Sequence, residues 1–229
     1  IYYHLNLVFE FLKLEYYNHY KVYRQAEKYF EEVNDACANL MVNYSTFTFP
    51  GQFLISKIER HLRNGTEAEL YDENETVFED YEVDALDVPK HIIYTVYRAI
   101  SCYYADKFDE AARLINNLLN EVSLKKYAYA QLEIKSLLAL QYVLMRDFEL
   151  FNQLSNSIQR QIRLFGKDSC ENIMLFLKIL KIATSEAKKE KAKKITALIP
   201  RLGSIDVNYF APTKLIKLDD KFIRLLTEE

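Results

Sequence analysis

The sequence predicts an all-α fold, a superhelical array of about five antiparallel helical hairpins, on three observations. Only 4 glycines and 4 prolines occur in 229 residues, against average usage of about 7 % and 5 %, so the chain is poor in the residues that tight strand turns need. Apolar residues recur at steps of three and four along most of the chain, which is the spacing of one helix face. Small or close-packing residues also recur at a nearly constant interval. Ala111 to Phe151 is 40 positions, Phe151 to Ala192 is 41, and Ala26 to Ala111 is 85, about twice that, with Ala68 near its midpoint. A constant period of this size marks stacked repeats, each burying its apolar face against its neighbours.

The elements run in order along the chain. Leu5, Phe9, Leu12 and Tyr16 share one face of a first helix over 2–17. Tyr23, Ala26, Phe30, Val33 and Cys37 share one face of a second over 23–41. A third helix spans 53–62, and further pairs span 88–105 with 108–122, 127–145 with 148–165, and 169–187 with 191–199. The links Ala105-Asp106-Lys107 and Arg146-Asp147 are short and polar, and short links bring neighbouring helices together antiparallel. Gly166 with Lys167-Asp168 reads as a helix stop and restart.

Two segments break the pattern. Residues 66–87 hold ten acidic residues and no Lys or Arg, interleaved with Leu70, Tyr71, Val77, Phe78 and Tyr81. They read either as a solvated second helix with a long loop or as an acidic arm for a basic partner. The tail from Gly203, with Pro212 and a short helix over 219–226, reads as a cap. The expected organisation is a repeat domain over 1–200 and a capping segment over 201–229.

Leu138-Ala139, Tyr142, Arg146-Asp147-Phe148 and Phe151 resemble the tetratricopeptide pattern of Leu, small residue, aromatic, polar turn, aromatic, small residue. Asp106-Lys107 followed by Phe108-Asp109-Glu110-Ala111 resembles its turn and second helix, as does Tyr17 with Tyr23, Ala26 and Phe30. The chain departs from that family in its period of about 41 rather than 34, its lack of Trp, and Phe151 where the pattern has a small residue. The resemblance implies a tetratricopeptide-like α-solenoid. It also implies that the first helix of each hairpin lines an inner groove for peptides, here Ile93, Val96, Ile100, Tyr103 and Tyr104 in one repeat and Ser136, Leu140, Val143 and Leu144 in the next. Val96, Ile100, Ser136 and Leu140 stand where carboxylate-gripping members carry Lys, Arg or Asn, so a terminal-carboxylate clamp is not expected. Such an apolar face is covered by a partner helix, a second copy, a preceding segment, or the core itself.

Composition narrows the function classes. A net charge of -3 argues against nucleic acid, whose phosphates require a basic face. Cys37, Cys102 and Cys170 are odd in number and far apart, which fits core thiols in a reducing, cytoplasmic compartment. No apolar run reaches 18 residues, so no membrane span is expected. The start at Ile1, inside an apolar periodic segment, suggests a piece of a longer chain. Abundant Lys, Tyr, Phe, Ile and Asn without Trp suggests a bacterial source. The acceptor patterns at Asn43, Asn64 and Asn74 are short enough to arise by chance.

No chemistry-bearing motif emerges. His4, His19, His61 and His91 show no zinc-type spacing, and four scattered glycines form no phosphate loop or nucleophile elbow. Cys170 stands near a helix start, which lowers a thiol pKa, yet has no adjacent base. The Lys run at 188, 189, 191, 193 and 194, with Lys178 and Lys181 before it, reads as a solvated face balanced by Glu186 and Glu190, or as a phosphate-facing stripe. The expectation is a non-enzymatic scaffold without metal or cofactor, binding a protein partner through a peptide or amphipathic helix. The alternatives are a self-associating structural or sensory domain, or a nucleic-acid-associated regulator using the last hairpin.

Overall fold

The computed structural model describes residues 2–42, 49–73, 87–185, 188–207 and 210–227, and they are helical, with no strand among them. We number the main helices α1 (Tyr2–His19), α2 (Tyr23–Val42), α3 (Phe49–Asn64), α4 (Val88–Tyr104), α5 (Phe108–Glu121), α6 (Ala128–Leu144), α7 (Phe148–Phe165), α8 (Glu171–Ser185), α9 (Lys188–Ser204) and α10 (Asp220–Thr227). Most of the acidic segment, the patterns at Asn43 and Asn74, and the Cys37 side chain lie outside the described residues. Helix α9 runs four residues past Pro200 instead of stopping before it. A proline this close to a helix end removes a single hydrogen bond from the last turns.

The chain divides into two compact units, 1–97 and 98–229. In the first, Leu7, Phe11 and Leu14 of α1, Ala26, Phe30 and Val33 of α2, and Phe53 of α3 form one buried cluster. Phe53 meets Phe30 at a ring separation of 5.2 Å and Phe11 edge-on at 6.4 Å. Tyr17 and Tyr29 stack beside it at 5.4 Å. Gly51 of α3 faces Ile93, whose side chain lies 3.6 Å from where a Cβ would stand.

The second unit is built around α6. Leu132, Ile134, Leu137, Leu138, Ala139, Leu140 and Val143 are all buried, and a helix apolar on every side must be surrounded. It packs on α5, α7, α8, α10 and the short 3-10 turn Pro212–Leu215. The tail therefore does more than cap the last pair of helices: it reaches back to the centre of the unit.

Three links share one geometry. Lys21, Asp106 and Arg146 adopt left-handed backbone at φ 57, 57 and 62°. At each, that residue's N–H bonds the carbonyl three back (Asn18, Tyr103, Val143; 3.0–3.1 Å), and the next N–H bonds the carbonyl five back (Tyr17, Cys102, Tyr142; 2.9 Å). This is the Schellman arrangement, which satisfies the last carbonyls of a helix. Five residues beyond each lies a buried residue, Ala26, Ala111 or Phe151. The sequence interval thus registers three equivalent helix stops.

Aspartates set three of the helix starts. The carboxylates of Asp87, Asp147 and Asp219 accept from the N–H groups of Lys90, Leu150 and Phe222 at 3.2, 3.0 and 3.0 Å, satisfying donors that no helical carbonyl reaches. Asp147→Ala is expected to cost about 1 kcal/mol, read as a lower urea midpoint with unchanged slope.

Inside the second unit, Glu133 is fully buried and is held by hydrogen bonds from neutral donors. Its Oε1 accepts from Asn172 Nδ2 at 2.6 Å and Tyr129 Oη at 3.1 Å. Its Oε2 accepts from the Thr213 N–H at 3.1 Å and Thr213 Oγ1 at 2.6 Å. Nearby, Tyr104 Oη donates to the Leu215 carbonyl at 2.8 Å and accepts from the Lys217 N–H at 3.0 Å. The segment around Thr213 is therefore held on α6 and α4 by polar bonds.

Candidate interaction surfaces

Of the nine residues expected to line an inner groove, all but Leu144, which is half-buried, are buried. Ile93, Val96, Ile100, Tyr103, Tyr104, Ser136 and Leu140 are each at most 6 % exposed, so they belong to the core, and the apolar face is covered by the protein itself. Ser136 Oγ bonds the Leu132 carbonyl of its own helix at 2.8 Å, leaving no group pointed at a ligand. The groove was what the tetratricopeptide resemblance implied, and α4 and α6 are instead enclosed around much of their circumference.

Among the described residues, α1 carries the longest run of exposed apolar side chains, with single ones such as Leu164 elsewhere. This helix carries two apolar faces: Leu7, Phe11 and Leu14 enter the core, whereas Leu5, Phe9, Leu12 and Tyr16 are 56–65 % exposed. The sequence spacing identified the second set as a helix face, and the structure leaves that face uncovered. Tyr20, at the helix end, is 61 % exposed and packs against Tyr16 and His19. Lys13 lies over the Phe9 ring at 4.1 Å and pairs with Glu10 at 2.9 Å, so the charges at the rim are partly satisfied. The steps of four, three and four along Leu5, Phe9, Leu12 and Tyr16 match the seam along which two helices pack.

A second feature lies between α7 and α8. Gln159, Ile162, Arg163, Lys167, Met174, Leu177, Lys178 and Lys181 line a cleft of about 320 Å³. Its floor is apolar, four cations surround it, and no carboxylate is among the lining residues, an arrangement suited to a carboxylate or another small anion. Farther along, Lys194 pairs with Glu190 at 3.4 Å across one helical turn, as a solvated face does. No aromatic side chain lines the cleft to stack a base, as single-stranded nucleic acid would want.

No family model, curated protein or solved structure matches this chain. The functional reading therefore rests on its own residues. The two thiols described do not add a reactive centre. Burial pushes Cys102 up to about 12, and burial, followed by the charge of Glu133, raises Cys170 as well, overriding the helix-start effect. Among the described residues no helix is long and apolar enough to cross a membrane.

Proposed function

We propose that this chain is a non-enzymatic interaction module that docks an amphipathic helix of a partner protein along α1. The observation that carries the reading is the exposed strip of Leu5, Phe9, Leu12 and Tyr16 on a helix whose opposite face is already in the core. Contiguous apolar surface of this kind marks interaction sites, and its aromatic share suits an interface centre. The seam spacing favours a helix over an extended strand as occupant, because an amphipathic helix presents anchors at the same steps of three and four.

The test compares wild type with a Leu5→Glu, Leu12→Glu variant, two changes at exposed sites that leave the core intact. Affinity capture from native lysate, followed by binding of a synthetic helix from the captured protein, is expected to give micromolar affinity for wild type and roughly tenfold or greater loss in the variant, about 1.4 kcal/mol or more. A concentration-dependent mass lost in the variant would replace the foreign helix by a second copy of the chain. Identical mass and identical captured proteins for both would sink the reading.

A further inference from the structure

The cleft between α7 and α8 takes its character from helical spacing. Both helices pack on α6, and one face of each borders the groove between them. On α7, Ile162 and Arg163 stand three and four positions after Gln159; on α8, Leu177 and Lys178 stand three and four after Met174. These steps keep each set on one helix face, and in both sets an apolar residue is followed at once by a cation. Ile162 and Leu177 are buried and Met174 is partly exposed, so the floor is apolar and an adaptable thioether stands at its edge. Gly166, at φ 119°, a backbone angle that glycine tolerates, turns the chain between the helices, and Lys167 after it joins the same rim.

The charges on that rim are not paired off within the fold. Among the described residues, no ion pair or side-chain hydrogen bond engages Arg163, Lys167 or Lys178. Lys181 also borders the cleft but is engaged in another interaction, so the binding set is the other three. The carboxylates that follow Lys167 in sequence, Asp168 and Glu171, line a different cleft, and Glu171 pairs with Arg201 at 2.6 Å. Three cations around one small concavity with no carboxylate in its lining attract an anion. The Arg163 guanidinium offers the paired N–H groups that grip a carboxylate or a phosphate.

The floor decides the rest of the ligand. An inorganic anion leaves Ile162, Leu177 and Met174 uncovered, whereas a ligand with an apolar body covers them while its head meets the cations. A volume of about 320 Å³ is at the lower end of ligand pockets, and at about 30 Å³ per water-sized group it holds roughly ten heavy atoms. With no aromatic ring in the lining, a nucleobase has nothing to stack on. Shape argues against a bilayer as the occupant, because the apolar side chains form the floor of a cleft and a lipid surface is met by an apolar face that enters it.

We propose that Arg163, Lys167 and Lys178 bind the anionic head, carboxylate or phosphate, of a small amphiphile whose apolar body lies on Ile162, Leu177 and Met174. A body of roughly eight carbons fills the volume. The site lies in the second unit and is independent of α1, which belongs to the first.

The full chain, carrying isotope-labelled methionine methyl groups, is titrated by NMR with octanoate and with octyl phosphate below their micelle concentrations. Of the three methionines, Met174 is expected to shift saturably, while Met145, outside the cleft, stays. Saturable binding of either probe supports the proposal, and the tighter one names the head group. Octanol has the body without the charge and acetate the charge without the body, and each is expected to bind about tenfold or more weakly, the scale of a charge-assisted hydrogen bond. The same loss is expected for either probe in Lys178→Glu and in Arg163→Glu, two exposed positions whose change leaves the core intact. The Leu5→Glu, Leu12→Glu chain is expected to bind as wild type does, which separates this site from the α1 strip. No saturable shift at Met174, octanol binding as well as octanoate, or unchanged affinity in both charge variants would overturn the proposal. Binding seen only with phosphatidylserine vesicles would overturn it too and assign these cations to a lipid surface.

Discussion

Glu133→Ala is expected to lower stability by about 3–5 kcal/mol, because each buried donor stranded without an acceptor costs about 1–3 kcal/mol. The substitution strands the Thr213 N–H and hydroxyl and the Asn172 amide, while the Tyr129 hydroxyl keeps Asn172 Oδ1 as acceptor, with only partial relief from water entering the void. Glu133→Gln keeps the shape but offers one acceptor oxygen, so its amide hydrogens face the donors of Thr213. Urea unfolding followed by circular dichroism gives both values. A loss under about 1 kcal/mol for the alanine variant would mean that the Tyr104 bonds and the apolar contacts hold the segment around Thr213 without Glu133.

The same carboxyl gives a pH test. Burial dominates over its four hydrogen bonds and raises its pKa above the ordinary value of 4.5. A carboxyl whose folded pKa exceeds its unfolded one binds its proton more tightly in the native state. Its contribution is then fully present below the unfolded value and declines as pH rises through the folded one. The stability advantage of wild type over Glu133→Gln is therefore expected to shrink as pH rises from about 4 towards neutrality, reversing the usual behaviour of a salt-bridged carboxylate. An advantage that grows with pH would assign Glu133 a lowered pKa instead.

Phe151→Ala is expected to cost about 3–5 kcal/mol, the range for deleting a buried phenylalanine side chain. Phe151 is 0 % exposed, and its counterparts after the other two Schellman links, Ala26 and Ala111, are buried as well. The buried ring therefore fills space that an alanine cannot, and the void left behind adds to the lost transfer energy. Thermal and urea unfolding give the value. A cost below about 1 kcal/mol would mean that α6 and α7 close to the spacing an alanine permits.

Helix positions were legible because spacing and stop residues act over a few neighbours. Asp106-Lys107 and Arg146-Asp147 marked true stops, and Asp147 also caps the start of α7. Which apolar face is covered was not legible. Leu5, Phe9, Leu12 and Tyr16 form as regular a face as Leu7, Phe11 and Leu14, and only the packing of α2 and α3 chooses between them. The groove residues on α4 and α6 failed for the converse reason, since residues apolar enough to line a groove are also apolar enough to be enclosed.

The bonds from Glu133 to Thr213 join positions 80 residues apart. At synthesis rates of about 5–20 residues per second, Thr213 is added roughly 4–16 s after Glu133. Through that interval on the ribosome the nascent chain has made α6 and its carboxylate but not the strap that encloses them. Helices α5 and α7, which also cover α6, are made before or soon after it, so what comes late is the enclosure of Glu133 and not the first packing of the helix that carries it.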